Sequence, residues 1–259
     1  RTQLEECLAN YGEVIEVWFD GSCVIDVSDI LKKYASNSVI FQGPHATVRW
    51  PGTESGKLFY PVWNTVKEED MLTGVATQIH GDPDGDIWAP LESNTTLYDH
   101  HWFWSPEKEE KRKSLDQLMD CYYRSIGYGS VFLLNSTPDT TGLIPENDVK
   151  LYKEFAEEID RRFKTPVAGL KGKKGEQVVL TFPGITRINH LVTMEDYRFG
   201  HRIRQYRIEG MVNGAWKELV EGQSIGRKKI DYFPEVEVSK IRLTVNKSVN
   251  EPLIRSMAA

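Results

Sequence analysis

The sequence predicts an α/β unit followed by an all-β unit, and three observations carry that prediction. Up to residue 163, apolar strand-like runs alternate with helical periodicity. After Thr165-Pro166 the pattern becomes short, often alternating segments between Gly-rich turns, the grammar of an antiparallel β-sandwich of about ninety residues. Between the two lies Gly169-Leu-Lys-Gly-Lys-Lys-Gly175, which places the boundary at residues 164 to 175 and divides the chain into 1–165 and 170–259.

Thr2 followed by Glu5 fits a capping box, and Leu4, Cys7 and Leu8 give one apolar helical face ending near Gly12. Val14, Ile15, Val17, Trp18 and Phe19 then read as a strand, with Tyr11-Gly12 before it and Gly21 after. A helix over 29–34 leads into a strand over 38–42, and a third strand over 46–50 stops at Pro51-Gly52. The βαβ alternation predicts a parallel sheet.

Residues 51 to 105 are rich in aromatics, Gly and Pro but weak in periodicity, as expected of long functional loops around short strands. Leu115, Leu118, Met119, Tyr122 and Ile126 recur at helical spacing, and residues 130–135 form an apolar run fit for a buried strand. Pro145 suits the first turn of a helix with the stripe Val149, Tyr152, Phe155, Ile159 and Phe163. Roughly five strands precede residue 164, whereas an eight-stranded β/α barrel takes about 250 residues. A barrel would therefore be represented here by its C-terminal part only. The β-unit strands are expected over 178–182, 187–192, 205–209, 216–219 and 240–245.

Composition narrows the function classes. With 40% hydrophobic and 27% charged residues in 259, the chain is an ordinary globular one. Its net charge of -6 disfavours a nucleic-acid partner, which would need a basic face. No apolar stretch reaches the ~18 residues of a membrane span, and the chain starts at Arg1 without a signal-like segment, so its start is expected to have been removed or not supplied. Cys7, Cys23 and Cys121 are scattered thiols without metal or disulfide spacing.

The chemistry-bearing candidates are carboxylates and aromatics. Asp20 stands at the end of the first strand-like run, where a carboxylate is either delivered to a site by a rigid element or spent on a turn before Gly21. Glycosidic hydrolysis needs a second carboxyl group, and Glu54, in the Gly-containing loop after the third strand, is the candidate partner; its alternative is a solvated loop acid. The cluster His100-His-Trp-Phe-Trp104, with Trp63, Trp88 and Tyr98, suits the C–H faces of a sugar, or core packing. His100 and His101 lack partners at ligand spacing, so no metal and no cofactor is expected. Asp82-Pro-Asp-Gly-Asp86 lacks EF-hand spacing and reads as an acidic turn.

Val17-Trp-Phe-Asp-Gly21, Val48-Arg-Trp-Pro-Gly-Thr-Glu-Ser-Gly56, Trp88-Ala-Pro-Leu-Glu92 and the block from Ser114 to Ile144 together resemble the retaining α-L-fucosidases of glycoside hydrolase family 29, closest to the α-1,3/1,4-selective group. The resemblance covers most of residues 1 to 163. It implies the C-terminal part of a (β/α)8 TIM-like barrel followed by a galactose-binding-like or discoidin-like sandwich. It further implies Asp20 as nucleophile, Glu54 as acid/base, and Trp18, Trp50, Trp88, Glu92, Trp102 and Trp104 as substrate-binding residues. Thr53 stands where the family's pattern has Asn before the acid/base, and the early fucose-contacting His and Trp residues have no counterpart here. The implied partner is a fucosylated oligosaccharide or glycoconjugate, and family analogy implies export. The competing class is a non-catalytic carbohydrate-binding or scaffold protein of the same architecture.

Overall fold

The computed structural model describes residues 1–71 and 80–259. Helix α1 (Thr2–Asn10) precedes strand β1 (Glu16–Trp18), helix α2 (Ser28–Tyr34) and strand β2 (Val39–Phe41). β1 and β2 pair in parallel, Glu16 opposite Val39 and Trp18 opposite Phe41. Side chains alternate across a strand, so Val17 and Ile40 meet Leu8, Ile30 and Leu31 of the two helices in one buried cluster. The expected capping box at Thr2 is not formed. Arg1 occupies the cap position without a side-chain cap bond, its guanidinium held instead by the Asp29 carboxylate at 2.6 Å. A capping box does start α3 (Leu115–Arg124), where Ser114 Oγ accepts from the Gln117 N–H at 3.3 Å and Gln117 Oε1 accepts from the Ser114 N–H at 2.8 Å.

The parallel pairing continues beyond β2. Phe41 bridges Val48 and Arg49 bridges Leu91, both in parallel. After the short antiparallel pair β3 (Thr65–Val66) and β4 (Ile87–Trp88), strand β5 (Glu92–Thr96) pairs in parallel with β6 (Val131–Asn135). Five chain segments thus lie side by side in sequence order, all pointing one way. The strand expected over 46–50 shrinks to the two bridging residues, because the Thr47 hydroxyl accepts the Ile40 N–H at 2.9 Å that a longer ladder would use. β6 is only partly buried, with Leu133 39% exposed, since β5 is its one strand partner among the described residues.

Helix α4 (Glu146–Phe163) starts after Pro145 and packs Leu151, Tyr152 and Phe155 against Leu97 and Leu118. Val149 of the expected stripe faces outward. The remaining strands β7 (Gly169–Lys174), β8 (Gln177–Glu195), β9 (Ile203–Val212), β10 (Ala215–Gly222), β11 (Lys229–Ser248) and β12 (Leu253–Ala258) form one antiparallel sheet in the order β10-β9-β11-β8-β12-β7. The Gly/Lys stretch is thus largely an edge strand, β7. The two strands expected over 178–182 and 187–192 are one, β8, whose pairing with β11 slips between Tyr232 and Val236 and again between Val238 and Lys240. Such bulges bend a long strand, and side chains from both its ends, Val178, Leu180, Ile188 and Leu191, reach the same core with Ile208, Ile241 and Leu243.

His201 of the sheet unit pins it to the α/β unit. Its ring packs against Trp63 and Trp88, centroids 5.2 and 5.3 Å away, and its Nε2 accepts the Asn64 N–H at 2.9 Å. Gly226 lies so close that a Cβ there would sit 2.3 Å from His201 Cε1, and its φ of +59° also favours glycine. Nearby, the Tyr60 hydroxyl donates to Ser224 O at 2.8 Å and accepts the Gln223 and Ser224 N–H groups.

Candidate active site

β1 ends two residues before Asp20, which is solvent-exposed. The turn that follows is closed by Gly21, whose N–H donates to Gln42 Oε1 at 2.8 Å, just past β2. Upstream on the same strand, Glu16 and Trp18 share one face. Trp18 stacks on Phe41 with centroids 4.4 Å apart, and its indole N–H donates to Glu92 Oε1 at 3.0 Å. The nucleophile candidate therefore extends from a strand braced against β2 and β5.

Glu92 opens β5 and is 1% exposed. Burial pushes its carboxyl up to about 7, the neighbouring Glu16 pushes the same way, and the Trp18 N–H opposes them. One oxygen of Glu16 is itself buried without a hydrogen-bond partner among the described residues. Because the folded state binds this proton more tightly than an ordinary carboxylate at 4.5, the associated stability is fully present below that value and is lost as pH rises to about 7. Glu92→Gln is expected to flatten that part of the pH profile. At about 1.4 kcal/mol per pKa unit, the change is on the order of 3 kcal/mol, read from urea midpoints at pH 4 and pH 8. An equally steep profile in the variant would assign the slope elsewhere.

Glu54 occupies the loop after the Val48–Arg49 bridges and is partly buried. Together with Trp50, Thr53, Asp99 and His100 it lines a cavity of about 580 Å³, floored by Thr95 and Cys121. His100 Nδ1 lies 3.4 Å from Glu54 Oε2, and His100 holds the left-handed backbone region with φ 51°. A non-glycine residue there costs energy, and such strain collects at functional sites. The Trp50 indole N–H donates to Asn94 Oδ1 at 3.2 Å, fixing one wall. Asp20 is not among the residues lining this cavity. Trp18 and Glu92 are brought together on the β1–β5 side, and Trp50 and Glu54 around the cavity.

The aromatics divide. Trp102 and Trp104 are partly exposed, the latter donating to Glu109 Oε1 at 3.2 Å, and Phe103 between them is 86% exposed. Trp88 and Trp63 pack on His201, and Trp88 also on Tyr197, so their ring contacts are with the sheet unit. Tyr98 is fully buried with its hydroxyl on Asp148 at 2.5 Å, which makes it a core residue and not part of a sugar face. Glu16 and Asp99 were not singled out from the sequence, and Asn94 only as part of a glycosylation pattern, whereas it is buried here. Glu16 carried a signal, its i, i+2 spacing to Trp18 on one strand face. Among the described residues no three His, Cys, Asp or Glu side chains are grouped to hold a metal ion, and no helix is long and apolar enough to cross a membrane.

Residues 1–160 match the family model described as alpha-L-fucosidase. The chain belongs to that family. Alpha-L-fucosidase 1 of Arabidopsis thaliana is 28% identical over 98% of this chain and 59% of its own length. A crystal structure from Bacteroides thetaiotaomicron superposes with a TM-score of 0.92 at 34% identity, covering 99% of this chain and 62% of that one. A glycoside hydrolase 29 family member from an unknown rumen bacterium gives a TM-score of 0.88 at 31% identity, covering 99% and 52%. The chain thus spans less than two thirds of each of these relatives. Its large antiparallel sheet is consistent with the β-sandwich of the family's members.

Proposed function

We propose that the full-length protein hydrolyses terminal α-L-fucosides with retention of configuration, preferring α-1,3/1,4-linked fucose on glycans. In this reading residues 1–165 are part of a (β/α)8 barrel and residues 170–259 a galactose-binding-like sandwich that supports it. One observation carries the reading beyond family membership: Asp20 and Glu54 each follow the C-terminal end of a segment in the same parallel run. Such ends open on one rim, where β/α barrels build their active sites.

On that rim the Asp20 carboxylate attacks the anomeric carbon while Glu54, protonated, gives its proton to the departing glycosidic oxygen. The bond to the aglycone breaks as the bond to Asp20 forms. Glu54, now a carboxylate, takes a proton from water, whose oxygen displaces Asp20 and releases fucose with its original configuration. Thr53 precedes Glu54 and Ser55 follows it, and the Ser55 N–H donates to Thr53 Oγ1 at 3.2 Å, so the loop supplies its own short-range bracing. Trp18, Trp50, Trp102 and Trp104 offer the rings on which the pyranose and its methyl group rest.

Turnover of an aryl α-L-fucoside by the full-length protein tests the activity, and proton NMR of the first-formed sugar tests the stereochemistry. The expected product is the α-anomer; the β-anomer would exclude retention, and no turnover would favour the non-catalytic carbohydrate-binding reading. Glu54→Gln is expected to slow a substrate with a poor leaving group by about 10²–10⁴-fold while sparing a nitrophenyl fucoside far more, because an acidic phenol needs little protonation. Equal losses on both substrates would remove Glu54 from the acid role.

A further inference from the structure

Where α4 meets the β-sheet, two cavities of about 490 and 530 Å³ lie side by side and share Arg162 and Tyr232 as lining residues. Neither shares a lining residue with the Glu54 cavity. Tyr232 stands where they meet, 64% exposed, and its hydroxyl makes no hydrogen bond among the described residues. The ring is backed from below: His190 lies 4.8 Å and Tyr123 5.9 Å away between centroids. That backing is fixed by a chain of bonds. Arg162 Nη1 donates to the Tyr123 hydroxyl at 2.9 Å, the hydroxyl donates to His190 Nε2, and His190 Nδ1 donates to Asn189 Oδ1 at 2.6 Å. Burial, with Arg162 and Arg161 nearby, holds His190 down at about 4, so the chain persists at neutral pH.

Charge decides the class of ligand. Each cation of the walls already has a carboxylate: Arg161 and Arg162 share Glu158, Arg187 lies 3.4 and 3.3 Å from Glu235 and Glu237, Arg124 is 4.0 Å from Asp120, and Lys229 is 2.6 Å from Asp231. Glu158 serves two arginines and Asp120 also pairs with Lys57 at 2.5 Å, yet every cation of the walls has a carboxylate within 4.0 Å, which weakens its draw on an anion. What remains is an exposed, rigidly backed aromatic ring between a polar hollow and a mixed one, with the Tyr232 hydroxyl and the Asn189 amide hydrogens unspent. A sugar offers the complement, a C–H face for the ring and hydroxyls for the polar groups around it.

We propose that this cleft at the junction of α4 and the sheet binds a neutral oligosaccharide seated on Tyr232, at a site separate from the Glu54 cavity. The site stands independently of the fucosidase reading. Lacto-N-tetraose, which is neutral and fucose-free, serves as the probe, titrated into the full-length protein by calorimetry. Tyr232→Ala is expected to weaken binding about tenfold or more, equivalent to about 1.4 kcal/mol, while Tyr232→Trp retains it. Both variants are expected to keep the wild-type unfolding temperature and, if the protein cleaves an aryl α-L-fucoside, the wild-type rate.

Three results would each overturn the proposal: no binding of lacto-N-tetraose at millimolar concentration, binding that Tyr232→Ala leaves unchanged, or tighter binding of a sialylated analogue than of the neutral sugar. Binding through Tyr232 in a protein that cleaves no fucoside would leave this site standing and refute the fucosidase reading instead. Cleavage without such binding would do the reverse.

Discussion

Replacing Asp20 by Asn in the full-length protein is expected to lower kcat for an aryl α-L-fucoside by at least about a thousandfold, with the unfolding temperature unchanged. The magnitude follows from chemistry: the amide has nearly the shape of the carboxylate but cannot form the glycosyl ester or stabilise the developing oxocarbenium charge. The unchanged stability follows from position. Asp20 is exposed and lies beyond the end of β1, and the turn after it is held by the Gly21 N–H on Gln42, not by the Asp20 side chain. Activity assays and thermal unfolding on the same preparation separate the two. A variant within tenfold of wild type would remove Asp20 from the nucleophile's role, whereas a variant that has lost both activity and folding would show that Asp20 supports the turn. Asp20→Ala with added azide supplies a further check, because a small anion can enter the space that the shorter side chain leaves and restore turnover as a fucosyl azide.

The elements legible in the sequence are those whose burial is one-sided. α2 turns Ile30 and Leu31, and β1 turns Val17, into one buried cluster, so apolar spacing and β-branched or aromatic content find them. β5 escapes that logic. Its residues Glu92 to Thr96 are all polar and all buried, each face turned toward another part of the protein, and no hydrophobic pattern marks it. The third parallel segment was legible over 46–50 but not in its extent, being only Val48 and Arg49, with the guanidinium of Arg49 buried on the carbonyls of Ala89 and Trp63 at 2.8 Å. In the sheet unit the segments were legible but their continuity was not, because Pro183-Gly184 reads as a turn while β8 continues through it at a slip in its pairing with β11.

The site was legible to the same uneven degree. Asp20 stands out because it ends an apolar run before Gly21, and Glu54 because it follows a strand-like run in a loop between Gly52 and Gly56. Trp63 and Trp88 shared the composition of the aromatic cluster with Trp102 and Trp104, yet they serve the contact with His201. Which aromatic faces a ligand and which faces another domain depends on residues more than a hundred positions away, and local sequence holds no record of that. The pairing of Glu54 with His100 joins two loops separated by β3, β4 and β5, and it arises from the parallel neighbours Arg49 and Leu91, which bring those loops to one side.

The largest expected loss of stability comes from Asp148. Its carboxylate is fully buried, accepts the Tyr98 hydroxyl at 2.5 Å on one oxygen and the Arg112 Nε–H on the other, and belongs to the first turn of α4. Arg112 in turn lies over the Tyr98 ring, 5.5 Å from its centroid, and burial together with Asp148 pushes the Tyr98 hydroxyl up to about 12. Asp148→Ala leaves a mostly buried guanidinium and a buried hydroxyl without their acceptor, an expected cost of about 3–5 kcal/mol, visible as a lower urea midpoint at unchanged slope. Asp148→Asn keeps an acceptor for Tyr98 but removes the charge facing Arg112, so its cost is expected to be smaller. The apolar replacement of all three, Asp148→Leu with Tyr98→Phe and Arg112→Met, is expected to recover much of the loss, since the penalty lies in stranded polar groups and not in the absence of the cluster. A triple variant as unstable as Asp148→Ala would refute that account. The consequence reaches the candidate site: Tyr98 bridges both His101 and Arg112, so the loop that places His100 beside Glu54 is tied down at both its ends by the residue that Asp148 holds. Asp148→Ala is therefore expected to raise KM for the fucoside even at temperatures where the protein remains folded.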